Sequence, residues 1–278
     1  MSKSVLLRGQ VAVVTGAGRG IGRTIAETLA SSGAAVAVAA RSREDIDRVA
    51  ATIEADGGSA IAVPVDVSDL SAVSALMAET ERRLGPPTLL VNNAAAAAAV
   101  GPLEEAQPDV WWNDVTVTLK GTFLCSRAVL PGMRTRGHGR IVNVSSYAAT
   151  RPRPFATAYG CAKAGLLHLT ESLAAELAGT GVLAFAIAPG FLRTALIDGM
   201  VSSDRGRRFL PELAEREDEV DPALAGRLVA DIASGRLDPL AGRLLHVLDD
   251  VDELLERGAE IEADDLYALR LRRIHADT

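Results

Sequence analysis

The stretch "VVTGAGRGIGRTIAETLASSG", residues 13–33, reads as a strand, a glycine-rich turn and a helix in immediate succession. The glycines of the turn are Gly16, Gly18, Gly20 and Gly22. The helix carries an apolar stripe of Ile21, Ile25 and Leu29, and it stops at Gly33. Such glycines let backbone N–H groups approach a pyrophosphate at the positive end of a helix. The spacing G-x-x-x-G-x-G differs from the commoner G-x-G-x-x-G. The stretch favours a dinucleotide site over an ordinary strand-to-helix turn.

Short apolar runs alternate with helical patterns along the rest of the chain. The runs are "QVAVVTG", "AAVAVAA", "AIAVPVDV", "TLLVNNA", "GRIVNVSS", "VLAFAIAPG" and "GRLLHVL", and helical patterns lie near 44–56, 69–84, 109–135, 157–179 and 222–234. Continuous apolar runs are typical of parallel strands that are covered on both faces. We predict an α/β fold: a doubly wound, Rossmann-type parallel sheet of about seven strands with helices on both faces. The alanine run at 94–99 follows a strand end, where we expect a loop rather than a helix.

Length and composition limit the class of protein. The chain has 278 residues, a formal net charge of −7 and a pI near 5.2, and it contains no dense basic run. We therefore expect one domain over 1–278, with 249–278 as a helical C-terminal extension, and no nucleic-acid or membrane partner. The N-terminus lacks the pattern of a signal peptide, so we expect a cytoplasmic protein. The scattered histidines predict no metal site.

The residues after the second predicted strand bear on the choice of cofactor. NAD-binding folds place an acidic residue there to hold the ribose hydroxyls, whereas this chain has Ala40 followed by Arg41. Arg41, together with Arg19 in the glycine loop, would suit a 2′-phosphate. This pattern predicts NADP(H), with NAD(H) less favoured, although ordinary solvated arginines are the alternative.

"YGCAK", residues 159–163, places Tyr159 and Lys163 on one face of a helix. Only three of the 29 basic residues are lysine, which makes the retention of Lys163 informative. A tyrosine has a pKa near 10, and lowering it by about 3 units would let it exchange protons near neutral pH. An ammonium about 4 Å away can supply an effect of that size. The spacing alone also arises by chance in many helices, so the other motifs of the chain decide whether the pair exchanges protons with a substrate.

Taken together, the motifs resemble those of the short-chain dehydrogenase/reductase family, in order and in spacing. They are "TGAGRGIG" at 15–22, "DV" at 66–67, "NNAA" at 92–95, "IVNVSS" at 141–146, "YGCAK" at 159–163 and "PGFLRT" at 189–194. The resemblance covers nearly the whole chain.

The resemblance implies a role for each matching residue. Tyr159 would be the proton donor, Lys163 would hold the nicotinamide ribose and lower the tyrosine pKa, and Ser146 would orient the carbonyl. The neighbouring Ser145 would be structural. The residues implied to bind the cofactor are Gly16, Arg19, Gly20, Ile21, Gly22, Arg41, Asp66, Val67, Asn93, Lys163, Pro189, Gly190, Leu192 and Thr194. Hydride chemistry would then belong to the cofactor.

Two departures from the family pattern affect these expectations. Thr118 stands where the family has an asparagine that supports a water in a proton relay, so we assign Thr118 to the catalytic group as a substitute. Its hydroxyl could bond to a carbonyl three or four residues earlier and bend the helix. Asp249 and Asp250 replace the usual Gly-Gly ending, and the apolar pattern that follows predicts a helix that packs on the body or on another subunit.

We therefore predict an NADP(H)-dependent oxidoreductase that transfers a hydride between nicotinamide and a ketone or secondary alcohol of a small organic substrate. Two alternatives stay open: a catalytically silent cofactor-binding regulator, and an epimerase or dehydratase that uses a bound nicotinamide. We expect a homo-oligomer, either a tetramer or a dimer. The segment 196–218 should be a substrate lid. Arg151 and Arg153 near the entrance would suit an anionic substrate if they are not simply exposed, and Trp111 and Trp112 should anchor a helix or contact another subunit.

Overall fold

The computed structural model describes residues 6–271, and a parallel sheet of seven strands runs through that part of the chain. The strands are β1 Val11–Thr15, β2 Ala35–Ala40, β3 Ser59–Pro64, β4 Leu89–Asn92, β5 Gly139–Val144, β6 Val182–Ala188 and β7 Leu244–His246. Their order in the sheet is β3-β2-β1-β4-β5-β6-β7. All seven apolar runs predicted as strands form one, which confirms the predicted fold class.

Helices cover both faces of this sheet. They are α1 Gly20–Ser31, α2 Arg43–Ala55, α3 Leu70–Leu84, α4 Pro108–Val115, α5 Gly121–Arg136, α6 Thr157–Glu176, α7 Ala195–Val201, α8 Asp204–Phe209, α9 Pro211–Ala214, α10 Ala223–Ser234, α11 Val251–Glu256 and α12 Gly258–Ala263. A π-helix, Thr116–Lys120, joins α4 to α5, and single 3₁₀ turns lie at Leu103–Glu105, Tyr147–Ala149 and Asp238–Leu240. No helix within residues 6–271 has the length and apolar character that a membrane crossing requires.

The core divides between the two faces of the sheet. One face buries residues of α1, α2 and α10, among them Ile25, Ile46 and Val229. The other face buries residues of α3, α5 and α6, among them Leu76, Leu124 and Leu173. These helices present an apolar stripe to strands that are themselves apolar on both sides, as the sequence pattern predicts.

The sheet reverses its winding between β1 and β4. The chain runs outward from β1 to β2 and β3, then crosses back to place β4 on the other side of β1. In an open α/β sheet, the carboxyl ends of the strands at this reversal form a crevice that binds ligands. The topology therefore places the glycine turn after β1 and the alanine run after β4 on either side of one crevice.

The structure differs from the sequence predictions in two helical regions. The helix expected over 109–135 is interrupted by the π-helix, which inserts an irregular turn around Thr118. The C-terminal extension forms two short helices, α11 and α12, that meet at Arg257 rather than one amphipathic helix. Leu254 and Ile261 from these helices are buried in the main core, so the extension packs on the body; residues 272–278 of the predicted extension lie outside the described residues. The expected loop at 94–99 is confirmed.

Candidate active site

A cavity of about 300 Å³ lies at the carboxyl ends of the central strands. Of the residues predicted to bind a cofactor, those that line it are Gly16, Arg19, Gly20, Ile21, Arg41, Asp66, Val67, Asn93 and Thr194. Gly22, Lys163, Pro189, Gly190 and Leu192 lie outside the lining of this cavity. The glycine turn, the ends of β2 and β3 and the start of α7 thus meet around one space, as the sequence predicted.

The glycines of the turn are required by close backbone approaches. Gly16 has a φ of +62°, and a Cβ there would lie 2.9 Å from the Cα of Ala94. A Cβ on Gly22 would lie 2.4 Å from the carbonyl oxygen of Gly16. Side chains at either position would push the turn away from β4 or away from α1. Gly22 therefore shapes the turn, and Gly20 and Ile21 at the start of α1 line the cavity.

Two guanidinium groups border one edge of the cavity. Arg41 follows β2 directly, and Arg19 precedes α1; both side chains are exposed and line the cavity. Hydrogen bonds from Ser68 lower the pKa of Asp66, and the nearby Arg41 guanidinium lowers that pKa further. Asp66 is therefore held ionised beside Arg41. The edge of the cavity combines the carboxylates of Asp66 and Asp45, the latter paired with Arg48, with two guanidiniums that face solvent.

Asn93 ties the two sides of the crevice together. Its Nδ2 donates to the carbonyl oxygens of Thr15 and Gly16, at 3.0 and 3.1 Å, and its own N–H donates to the Thr15 hydroxyl at 3.1 Å. Asn93 lines the cavity, but its amide nitrogen is engaged by the glycine turn. The side chain thus positions the turn as well as bordering the cofactor cavity.

Ser146, Tyr159 and Lys163 come together where β5 ends and α6 begins. Ser146 follows β5 and accepts a hydrogen bond from the N–H of Ala148, which starts a 3₁₀ turn. Tyr159 lies in the first turn of α6, and the Lys163 Nζ lies 5.7 Å from the centre of its ring. The buried Lys163 Nζ also donates to the Val144 carbonyl oxygen at 2.6 Å. Ser145 donates to the Lys163 carbonyl at 3.3 Å, in agreement with its predicted structural role.

The pKa values of this pair differ from the sequence expectation. Burial raises the pKa of Tyr159, while a hydrogen bond with Ser146 and the charge of Arg153 lower it. Burial also lowers the pKa of Lys163 from 10.5 to about 7. Burial and the bond to the Val144 carbonyl dominate the surroundings of the Lys163 ammonium in the protein alone, so its effect on the tyrosine pKa stays a prediction. Arg153, although exposed, is close enough to Tyr159 to act on it.

One face of α4 and the π-helix fastens the alanine segment, residues 94–99. The Ala96 N–H donates to the Thr118 hydroxyl at 3.2 Å, and the Ala99 N–H donates to Asp114 Oδ2 at 2.8 Å. Among the described residues, the Thr118 hydroxyl thus bonds this segment and not an earlier carbonyl of its own helix, which corrects the sequence expectation. The Thr118 carbonyl accepts from the Thr122 hydroxyl at 2.8 Å. The segment has only methyl side chains, so these backbone bonds set its position.

Asp114 is a residue that the sequence reading missed. Its side chain is fully buried, and its Oδ1 finds no hydrogen-bond partner among the described residues. A buried acid in the middle of an apolar helix stripe, four residues before Thr118, is the signal that could have identified it. Trp111, on the same face, donates from Nε1 to the Thr157 hydroxyl of α6 at 3.0 Å, whereas Trp112 is 61% exposed and does not anchor the helix as expected.

One side of Tyr159 is apolar and packs with residues of the short helices α7 and α9, which α8 connects. Ala97, Ala156, Met200 and Val201 form a buried cluster, against which Tyr159 packs. The helices are fastened across the site by Arg205, which donates to the Val100 carbonyl oxygen and to Glu105, both at 2.9 Å. The predicted lid over 196–218 therefore corresponds to these helices, which lie over the tyrosine.

The site combines two features at the carboxyl edge of a Rossmann-type sheet. One is a glycine-rich turn of the kind that binds phosphate groups, and the other is a group of a serine, a tyrosine and a lysine. Together they define a class of nicotinamide-dependent oxidoreductases. A family model described as short chain dehydrogenase matches residues 10–204. The chain belongs to the short-chain dehydrogenase family.

Individual relatives support the same assignment. A short chain dehydrogenase of Pseudocercospora fijiensis is 36% identical over 95% of this chain and 90% of its own length. A cis-4-hydroxycyclohexanecarboxylate dehydrogenase of Sinomonas cyclohexanicum is 38% identical over 81% of this chain and 91% of its own. The crystal structure of a metagenomic short-chain oxidoreductase in complex with NADP superimposes with a TM-score of 0.70 and 34% identity, over 82% of this chain and 92% of that one.

Proposed function

We propose that the protein is an NADP(H)-dependent oxidoreductase that transfers a hydride between nicotinamide and a ketone or secondary alcohol of a small organic substrate. The observation that carries the proposal is the grouping of Ser146, Tyr159 and Lys163 within one end of the sheet. Tyr159 packs against an apolar cluster on one side, and Lys163 approaches its ring on the other. This geometry serves proton transfer to or from an oxygen atom that is held at the tyrosine.

The cavity fits a dinucleotide that carries a 2′-phosphate. Gly16, Gly18 and Gly20 of the turn line the cavity, so their backbone is accessible to a pyrophosphate without side chains in between. Arg19 and Arg41 are exposed at the cavity edge and can pair with a phosphate dianion. The structural relative was solved with NADP, which supports the same choice. We therefore assign the adenosine end to Arg41, Arg19, Asp66 and Val67, and the opposite end to Thr194 and Lys163.

The chain's own residues would handle the proton. The bound nicotinamide would supply or accept the hydride. Ser146, whose hydroxyl hydrogen-bonds with Tyr159, would hold the substrate oxygen, and the Tyr159 hydroxyl would give its proton to that oxygen or take it back. Lys163 would hold the ribose from its buried place behind the tyrosine. Thr118 would act indirectly, by fixing Ala96 beside the site.

The surroundings of Tyr159 favour a small substrate with an apolar body. Ala97, Met200 and Val201 offer methyl and thioether contacts, while Arg153 adds positive charge near the tyrosine. The named substrate of the Sinomonas relative is a ring with a secondary hydroxyl and a carboxylate. We propose that the substrates of this protein combine a secondary alcohol or ketone with an apolar frame, and that an anionic group would be accommodated on the Arg153 side.

We further propose that the protein is a cytoplasmic homo-oligomer. Helices α4 and α5 present Trp112, 61% exposed, and Phe123, 49% exposed, on one surface, with Leu119 partly exposed between them. Exposed large apolar side chains in one helical stripe support a subunit contact rather than a free surface. The isologous contact of two such stripes would give a dimer.

Turnover with a panel of substrates tests the proposal. The full-length chain is mixed with NADPH and ketones, and with NADP and secondary alcohols, and the nicotinamide absorbance is followed. We expect turnover on apolar cyclic or branched substrates and tighter binding of NADPH than of NADH. Binding of NADPH without turnover on any ketone or alcohol would instead favour the silent regulator. Equal affinity for NADPH and NADH would overturn the cofactor assignment alone.

A further inference from the structure

Strand β7 is the last strand of the sheet, so its outer side is an edge. The inner side is paired with β6, since the Val247 N–H donates to the Ala188 carbonyl and the Arg243 carbonyl accepts from the Ala186 N–H, both at 3.1 Å. Because successive residues of a strand point their N–H groups to opposite sides, the N–H groups of Leu244 and His246 point outward. These two donors are what the sheet would offer to another strand.

Both outward donors are bonded by the chain's own C-terminal segment, defined here as residues 249–271. The Leu244 N–H donates to the Tyr267 carbonyl oxygen at 2.9 Å. The His246 N–H donates to Asp249 Oδ2 at 2.6 Å. Asp249 is one of the two aspartates that replace the Gly-Gly of the family pattern. The aspartate at position 249 thus provides a carboxylate that accepts the His246 N–H, which a glycine could not do.

The C-terminal segment wraps around this edge from one face of the sheet to the other. Leu254 and Ile261 are buried in the core that contains α1 and α10. Leu269, further along, packs on the opposite face with Leu167 of α6 and with Leu244. The chain therefore crosses the edge between Ile261 and Leu269, and Tyr267 lies at the crossing.

Ion pairs fasten the far end of the segment. Arg270 pairs with Glu171 of α6 and with Asp265, both at 3.0 Å, and Arg243 beside β7 pairs with Asp265 at 3.2 Å. The Leu269 N–H also donates to Glu171 at 3.3 Å. The segment is thus held from both sides of the strand that it covers. Exposed ion pairs contribute little singly, but here they act together with buried apolar contacts.

An unpaired strand edge is a template for pairing with another chain. Two copies of one chain can pair such edges about a twofold axis, because the same residues then face each other. We infer that the C-terminal segment closes the β7 edge against a second copy of this chain, so that self-association is confined to other surfaces, such as the α4–α5 stripe. The inference rests on backbone bonds and is independent of the proposed activity.

Truncation tests the inference. The variant that lacks residues 264–278 loses Tyr267, Leu269 and Arg270 but keeps Asp249, Leu254 and Ile261. The matched control lacks only residues 272–278, so it keeps every contact described above. Mass is measured by light scattering over a range of concentrations, with the full-length chain beside both variants. We expect the 264–278 deletion to reach at least about twice the mass of the control, and equal masses at all concentrations would overturn the inference.

A second pair of variants distinguishes pairing at the β7 edge from nonspecific aggregation. Leu244→Pro removes the outward N–H donor that the deletion frees, and proline is tolerated at the first residue of a strand. Added to the 264–278 deletion, it should return the mass to that of the control; persistent association would overturn the inference. Should the deletion fail to fold, Arg270→Ala combined with Leu269→Ser loosens the segment in the full-length chain. That variant should show concentration-dependent association and faster amide exchange at Leu244, and no change in either would overturn the inference.

Discussion

The cofactor cavity and the substrate side of Tyr159 are built in different ways. The cavity is lined mostly by residues that follow β1, β2, β3 and β4 within a few positions, with Val117 and the start of α7 completing it. Its walls are joined by bonds such as that of the Asn93 side chain to the Gly16 carbonyl. The substrate side is walled by the alanine segment and by helices α7–α9, which meet through contacts such as Arg205 to Val100, 105 residues apart in sequence.

This difference bears on how easily each region moves. The cavity is formed by elements of the main core, whose opening requires the loss of buried apolar contacts. The helices over Tyr159 are fastened at the far rim by Arg205, in bonds that are exposed. Exposed pairs of this kind contribute about 0.2–1 kcal/mol. The comparison predicts a rigid cofactor site and a substrate cover that opens at low cost.

Substitution of Tyr159, which lies where the two regions meet, should have the largest effect on turnover. Tyr159→Phe keeps the ring but removes the acidic proton, so turnover should fall by about 10²- to 10⁴-fold, the usual contribution of a general acid. The dissociation constant of NADPH should stay within about twofold, because the ring is kept and the lost hydroxyl is assigned to the substrate oxygen rather than to the cofactor. Tyr147→Phe, at the exposed neighbour of Ser146, is the control. Turnover near the parent rate in the Tyr159→Phe variant would contradict the assignment.

Lys163 should show a large effect on stability that depends on pH. Its pKa falls from 10.5 to about 7 on burial, so the unfolded chain binds more protons than the folded chain between these values. Keeping the ammonium buried therefore costs roughly 3–5 kcal/mol below about pH 7, and the cost shrinks as pH rises towards the unfolded value.

The variant Lys163→Met removes this cost and is expected to abolish turnover. In denaturant melts without cofactor, it should gain stability over the parent at about pH 6, and the gain should be smaller at about pH 9. The lost bond to the Val144 carbonyl offsets part of the gain but does not depend on pH in the same way. A gap between variant and parent that is constant over this range would show that Lys163 is not desolvated as described.

Arg41 tests the cofactor side. Arg41→Ala should weaken NADPH binding by about 10- to 150-fold, the loss expected for hydrogen bonds to a charged group. NADH affinity should change little, since NADH lacks the 2′-phosphate. Arg43→Ala, which removes an exposed guanidinium that pairs with Asp47 on α2, is the control. Equal losses of NADPH and NADH affinity in the Arg41→Ala variant would contradict the prediction.

Substitution of Asp114 tests the role of the alanine segment, residues 94–99, which borders both regions. Asp114→Ala leaves the Ala99 N–H without its acceptor and should cost about 1–3 kcal/mol of unfolding free energy. Because the alanine segment is then free to shift, KM for substrate should rise more than kcat falls. Asp114→Asn keeps an oxygen acceptor and should restore both KM and stability. If the Asn and Ala variants behaved alike, the bond to Ala99 would not be what positions the segment.

The smallest effect should come from Arg205 on the substrate cover. Arg205→Ala removes the bonds to Val100 and Glu105, and KM should rise about two- to fivefold, in keeping with an exposed pair worth up to about 1 kcal/mol. NADPH affinity should not change. Arg208→Ala, on the same helix but stacked on Phe209 rather than bonded to the far rim, is the control. A similar rise in KM for both variants would assign the effect to charge rather than to fastening.

The cofactor cavity could largely be predicted from the sequence, whereas the substrate side of Tyr159 could not. The strands and the glycine turn could be predicted because apolar runs and glycine spacing are local signals, and both report directly on burial and on close backbone approach. The positions of Arg41, Asp66 and Asn93 followed, since each stands just after a strand end.

The substrate side could not be predicted from local signals. The bonds from Asp114 and Thr118 to the alanine segment join residues 15 and 22 positions apart across an irregular helix. The pKa of Tyr159 depends on burial by the covering helices, which no pattern in the sequence reveals. Likewise, the edge cover at β7 depends on a turn near Tyr267 that follows two short helices, where the sequence suggested one.

The cover on β7 also has a consequence for synthesis. Tyr267 and Asp249 follow all seven strands of the described sheet, so they leave the ribosome after the sheet that they cover. A nascent chain that has already emerged through β7 therefore carries an open sheet edge until residues 249–271 have followed it, and such edges are where newly made proteins associate wrongly. The cover that we infer for the folded protein thus forms only after the strand that it protects has been made.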